Sequence, residues 1–94
     1  MDKDQVAEIL SEIGTLLELK GENPFKTRAY ANAARMLEGL SEPLERIIAE
    51  NRLAELKGIG EALQKKITEL VITGKLAYYE ELKAATPPGR YDPR

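Results

Sequence analysis

The stretch Leu53–Ile67 reads LAELKGIGEALQKKI. Gly58 and Gly60 flank Ile59, apolar residues precede them, and Lys65 and Lys66 lie just beyond. The apolar spacing on both sides is helical: Leu53 and Leu56 before the glycines, then Leu63, Ile67, Leu70 and Val71 after them. Two short helices joined by glycine-apolar-glycine form a hairpin. Glycines adopt backbone angles that other residues resist and carry no side chain, so a phosphate can approach the backbone closely. The amides of Gly60, Glu61 and Ala62 then open a helix unpaired and facing outward, which makes an anion site. Ile59 faces the other way and anchors the hairpin in the core. The same spacing also suits a plain joint, with Gly58 as a C-cap and Gly60 relieving packing.

Upstream, Val6, Ile9, Leu10, Ile13, Leu16 and Leu17 form one helical stripe. Asp2 or Asp4 can cap its start, and Gly21 stops it. Asn23 and Pro24 stand as N-cap and first residue of a second helix. Its inward stripe is Phe25, Ala29, Tyr30, Ala33, Ala34 and Leu37, and Gly39 ends it. Ser41 is the expected cap of a third, shorter helix, with Pro43 in its first turn and Leu44, Ile47 and Ile48 inward. After the glycines a helix is expected over 61–73, closed by Gly74, and a last one over 75–84 with Tyr78, Tyr79 and Leu82. The expected fold is all-α: a compact bundle of four to five short helices with one hairpin at 52–73. A single domain is expected over 1–85, with 86–94 (TPPGRYDPR in its sequence context) a Pro-rich tail or linker.

Composition narrows the chemistry. The 94 residues contain no cysteine and no histidine. Thiolate zinc sites, Cys nucleophiles and the usual general base are therefore absent. Aspartate occurs only at positions 2, 4 and 92, so the clustered carboxylates of a magnesium-dependent nucleotidyl-transfer site are missing. No apolar run approaches the ~18–20 residues of a membrane span. The acidic, amphipathic start is unlike a signal peptide, and a cytoplasmic location is the default.

The net charge of −2 is unevenly spread. Residues 1–24 carry −4, residues 25–40 carry +2 and residues 58–75 carry +1. A polyanion would choose the last two segments, in contacts that are local and salt-sensitive.

The pattern Leu53, Leu56, Gly58, Ile59, Gly60, Leu63, Ile67 resembles the helix-hairpin-helix motif. The position after Leu63 departs from it: that residue is usually small, and here it is Gln64. Two longer blocks are similar to the amino-terminal domain of family X DNA polymerases, of the bacterial and archaeal type. They are LELKGENPFKTRAYANAARMLEGL over 17–40 and LKGIGEALQKKITELVITGKLAYYEEL over 56–82. The resemblance implies a partner: DNA carrying a gap or nick, held by its backbone and 5′-phosphate, without sequence specificity. It implies polymerase fingers, palm and thumb elsewhere in a full-length source, and a role in DNA repair or synthesis. It also implies a second activity, a 5′-deoxyribose phosphate lyase acting through a Schiff-base lysine.

Carried over residue by residue, the resemblance places that lysine on Lys66, a supporting tyrosine on Tyr30 and a 5′-phosphate-binding lysine on Lys26. A second phosphate-binding lysine of the lyases falls on Ala62, a further basic position on Tyr78, and a base-stacking histidine on Phe25. The family hairpin often holds a sodium or potassium ion through backbone carbonyls, here those of Ala54, Leu56 and Ile59. No other cofactor is expected.

Helical geometry separates the paired lysines. At about 100° per residue, Lys66 borders the apolar stripe while Lys65 points nearly opposite it. A lysine at an apolar edge can become nucleophilic, and it can equally lay its stem on the core and keep its ammonium in water. DNA contacts are expected from the backbone of Gly58, Ile59, Gly60, Glu61 and Ala62 with Lys26, Lys66, Arg28 and Lys65. The competing reading is a protein-interaction module using the acidic first helix through Glu8, Glu12 and Glu18, although those residues suit a solvated face. A monomer is expected, because one small core consumes the apolar stripes.

Overall fold

A computed structural model describes residues 2–85; the tail at 86–94 lies outside the described residues. Five α-helices and one short 3-10 turn occur among the described residues, with no strand. Helix α1 spans Lys3–Leu19 and α2 spans Pro24–Glu38. Helix α3 is Leu44–Ala49, followed by the 3-10 turn Leu53–Glu55. Helix α4 spans Glu61–Thr73 and α5 spans Ala77–Ala85.

Helix α1 is fixed at both ends by local chemistry. The Asp2 carboxylate accepts from the Gln5 amide at 2.8 Å, and the Gln5 side chain accepts from the Asp2 amide at 3.1 Å. This capping box satisfies two otherwise orphaned donors. At the other end Gly21 takes φ +78. The amide of Gly21 then reaches the Glu18 carbonyl and that of Glu22 the Leu17 carbonyl, both at 3.0 Å. Such a left-handed stop reverses the chain cheaply only at glycine or asparagine.

The reversal lays α2 antiparallel on α1. Lys3 at the start of α1 donates its ammonium to the Glu38 carbonyl at the end of α2, at 2.7 Å. The helices meet closely at Gly14, which is buried in α1. A Cβ there would stand 3.4 Å from the Thr27 carbonyl oxygen and 3.6 Å from the Tyr30 Cβ. Ala33 and Ala34 line the same seam, both buried.

Helix α3 departs from the expected capping. Pro43, in extended conformation, occupies the N-cap position, and no side chain caps it; Ser41 lies in a bend before it. The entry to α3 is secured instead by Arg52, which donates to both Glu42 carboxylate oxygens at 3.1 and 2.6 Å and pairs with Glu50 at 2.7 Å. The Arg52 hydrogen bonds hold the Glu42 carboxyl below its usual range. Asn51 closes the helix at φ 55, with Arg52 reaching the Ile47 carbonyl at 2.9 Å. Asparagine tolerates this region better than other non-glycine residues. Ile48 is half-buried, whereas Leu44 and Ile47 are fully inward.

The hairpin follows. Leu53 and Ile59 are buried and Leu56 is half-buried against them. Gly58 takes φ +82, and Gly60 is the N-cap of α4. Helix α4 buries Leu63, Ile67 and Leu70 and ends at Gly74 in the left-handed region. The last helix starts at Ala77, later than expected, because a turn intervenes. The Thr73 hydroxyl accepts from the Lys75 amide at 3.2 Å, and the Glu69 carboxylate accepts from the Ala77 amide at 3.0 Å. Leu76, in that turn, is buried. Tyr79 donates its hydroxyl to the Glu12 carboxylate and so ties α5 to α1.

All these apolar residues form one core. Phe25 is the exception: assigned to the inward stripe of α2 from its spacing, it is 77% exposed. It sits in the first turn, about 140° round the helix from Tyr30 and so away from the buried face of Tyr30, Ala33, Ala34 and Leu37, with the Arg28 guanidinium 6.0 Å from its ring centre.

Gly14→Ala should be neutral or slightly stabilising, because a helix gains about 1 kcal/mol from that exchange and the new contact at 3.4 Å is tolerable. Gly14→Leu should cost roughly 1–3 kcal/mol by overpacking the seam. Urea denaturation of both variants checks this. Equal stability of the two would contradict close packing at Gly14.

Candidate nucleic-acid interface

Helix α2 contributes Lys26, Ala29 and Tyr30 to one shallow hollow. The hairpin and α4 add Gly58, Gly60, Ala62, Leu63 and Lys66, and α5 adds Tyr78. The hollow measures about 450 Å³. Residues more than thirty positions apart thus meet because Gly14 draws α2 against the core and Ile59 pins the hairpin beside it.

The anion-binding elements are arranged around this space. No side chain caps α4 at Gly60. The first-turn amides beyond it carry the positive end of the helix dipole, and Ala62 leaves them unobstructed. Gly58 and Gly60 have open space where a Cβ would stand, so their backbone is approachable. Lys26 adds an exposed ammonium from the N-terminal turn of α2, where it opposes the dipole of its own helix.

Lys66 and Lys65 diverge as their helical phase requires. Lys66 is half-buried, and its ammonium lies 4.8 Å from the centre of the Tyr78 ring. Such a contact attracts a cation to the ring face and fixes its position. Tyr78 in turn stacks on Tyr30, with ring centres 6.4 Å apart and planes inclined by 14°. Burial, and then the neighbouring Tyr78 with its hydrogen bond, push the Tyr30 hydroxyl well above the ordinary phenol range. Tyr30 is therefore harder to ionise than an ordinary phenol. Sequence reasoning placed a lost basic position at Tyr78 and missed this three-layer stack. The helical phase of Tyr78 beside the buried Leu82 was the available signal.

Four expected contact residues do not join the hollow; one of them, Ile59, is buried in the core. Lys65 and Glu61 are exposed on another side of α4, pairing at 3.9 Å, in a separate hollow of about 510 Å³ with Gln64 and Thr68. Arg28 faces Glu18 and Glu22 across a third recess. Both cations sit among carboxylates, which blunts their attraction for a polyanion.

The three carbonyls expected to hold a monovalent ion were Ala54, Leu56 and Ile59. The Ile59 oxygen already accepts from the Gln64 side-chain amide at 3.2 Å. That donor takes one of the oxygen's two lone pairs and brings hydrogens of positive partial charge beside it, which disfavours a cation at Ile59 in this arrangement. Among the described residues no cluster of His, Cys, Asp or Glu could hold a metal. Nor is any described helix long and apolar enough to cross a membrane.

The hairpin, its glycines and the bundle around it define a helix-hairpin-helix domain, and residues 1–76 match the model of that family; the chain belongs to it. It is also similar to the DNA polymerase/3′-5′ exonuclease PolX of Bacillus subtilis, 34% identical over 89 residues. The match covers 95% of this chain but 15% of that relative, whose amino-terminal part it is.

The Tyr30 shift has a consequence with a fixed sign. A phenol whose folded pKa is raised contributes stability fully present below the unfolded value, about 10, and lost as pH rises toward the folded one. Wild-type stability should therefore fall with rising pH in that alkaline range, and Tyr30→Phe should flatten the decline. Denaturation curves at a series of alkaline pH values test this; parallel curves for the two proteins would rule it out.

Proposed function

We propose that this chain is a DNA-binding module that grips the backbone at the 5′-phosphate end of a gap or nick. The observation that carries the reading is the convergence of Lys26, Lys66 and the uncapped start of α4 on one hollow, in a chain whose net charge is −2. A terminal phosphate carries more charge than an internal one, and it fits a site with ammonium groups beside helix amides. Membership of the helix-hairpin-helix family and similarity to the amino-terminal part of a DNA polymerase support DNA as the partner. Phe25, exposed next to Lys26, offers a platform for an unpaired base. These are backbone and stacking contacts, so base sequence should matter little.

A second reading is a 5′-deoxyribose phosphate lyase. Its support is Lys66, half-buried beside Tyr30. The amine would add to the sugar aldehyde with loss of water, and elimination would then remove a C2′ proton and break the C3′–O bond. Binding is favoured over this chemistry because Ala62 and Tyr78 leave the phosphate end of the hollow with fewer cations. The protein-interaction reading loses part of its proposed surface, since Glu12 is half-buried and bonded to Tyr79.

Titration into one-nucleotide-gapped DNA, with and without the downstream 5′-phosphate, tests the first reading. Tighter, salt-sensitive binding of the phosphorylated gap is expected. Lys26→Ala or Lys66→Ala should each weaken it about tenfold, roughly 1.4 kcal/mol, and reduce the salt slope by about 1. Lys65→Ala and Arg28→Ala should change little. Indifference to the 5′-phosphate would reduce the hairpin to a structural joint.

Borohydride treatment with an abasic 5′ end separates the readings. No covalent adduct is expected. An adduct lost in Lys66→Ala but kept in Lys65→Ala would make the chain a lyase.

A further inference from the structure

The residue that departs most plainly from the hairpin pattern is Gln64, and its side chain has a defined place. It is half-buried, one turn into α4, with its backbone amide on the Gly60 carbonyl at 2.9 Å. Its side chain folds back past the helix start, and the carboxamide nitrogen donates to the Ile59 carbonyl at 3.2 Å. The bond spans the turn, joining the residue between the two glycines to the helix that follows. Only the nitrogen of the carboxamide can face a carbonyl oxygen productively, so the chemistry fixes which way the group points.

We propose that this carboxamide replaces a monovalent cation at the hairpin, so that the turn is held, and DNA phosphate bound, without dependence on which monovalent cation is present. A cation organises a turn by drawing carbonyl oxygens together and placing positive charge beside the phosphate. The Gln64 amide supplies the first of these in neutral form. One N–H holds the Ile59 oxygen, and because the side chain lies with Glu61 and Lys65 rather than in the hollow of Lys26 and Lys66, it acts on a bound phosphate through the turn it fixes. An ion entering at Ile59 would meet amide hydrogens of its own sign on one side of the oxygen and find one of that oxygen's two lone pairs taken. The small residue common at this position has no donor and leaves the carbonyl to an ion or to water. The exchange has an electrostatic cost as well: a neutral donor adds less attraction for a polyanion than a full charge does, and the chain is already acidic overall.

The inference rests on the DNA-binding reading for its second half only, because the closure of the turn is a property of the free chain. The thermal midpoint of the free 94-residue chain is measured in potassium, sodium and tetramethylammonium chloride at equal ionic strength. Thallium(I) binding is followed by thallium NMR on the same protein. Affinity for the 5′-phosphorylated gapped DNA is measured in the same three salts. The wild-type midpoint should be the same in all three, with no bound thallium and DNA affinities within about twofold of one another. Gln64→Ala should acquire a dependence, with a higher midpoint and severalfold tighter DNA binding in potassium or sodium than in tetramethylammonium. Thallium bound by the wild type, or a wild-type midpoint that follows the cation, would overturn the proposal, as would a Gln64→Ala variant as indifferent as its parent. Absence of DNA binding in every salt would instead remove the functional reading, and the midpoints and thallium spectra would still decide the role of Gln64.

Discussion

The close approach of α1 and α2 at Gly14 is the constraint on which the rest of the molecule depends. The seam leaves room there for a Cβ and no more: one would already touch the Thr27 carbonyl oxygen at 3.4 Å and the Tyr30 Cβ at 3.6 Å. Tyr30 is thereby held with its ring against the core and its hydroxyl at the rim. Tyr78 stacks on it, and Lys66 stands over Tyr78. A helix–helix distance therefore determines where an ammonium sits on a different helix. The order of dependence runs from backbone packing to aromatic stack to charge.

Charge is sorted by the same packing. Acidic groups dominate α1, and the cations that face them, such as Arg28, are surrounded by carboxylates. Lys26 and Lys66 escape this because the hollow is lined otherwise by alanine, leucine, glycine and tyrosine. A weakly basic site on an acidic body works by contrast with its surroundings, and net charge alone would have hidden it.

Much of this was legible in the sequence. The periodic stripes, Asn23-Pro24, Gly21 and Gly74 placed α1, α2 and α4 with their ends, since caps and left-handed stops are local chemistry. The divergence of Lys65 and Lys66 followed from helical phase. What failed was decided by partners distant in the chain. Phe25 reads into the stripe through Ala29, but it stands well round the helix from Tyr30 and Leu37, and no described element covers it. Ser41 is a fine cap by type, yet Pro43 holds that position and Arg52, ten residues beyond Glu42, secures the entry. Gly14 drew no reading from the sequence, because what it packs against lies across the seam. Within the candidate site, Lys26, Tyr30 and Lys66 were found, whereas Tyr78 as their common floor required the turn between α4 and α5 to be seen folded.

That turn sets a rule about chain length. Tyr78 and Tyr79 are neighbours on α5 with unlike duties, one under Lys66 and the other on Glu12. Adding or removing one residue between Gly74 and Ala77 would turn α5 by about 100° and hand each ring the other's environment. The spacing from hairpin to α5 is thus held to the residue, even though the segment lies on the surface and makes few core contacts apart from Leu76. An insertion that a surface turn ordinarily absorbs would here exchange the partners of two rings.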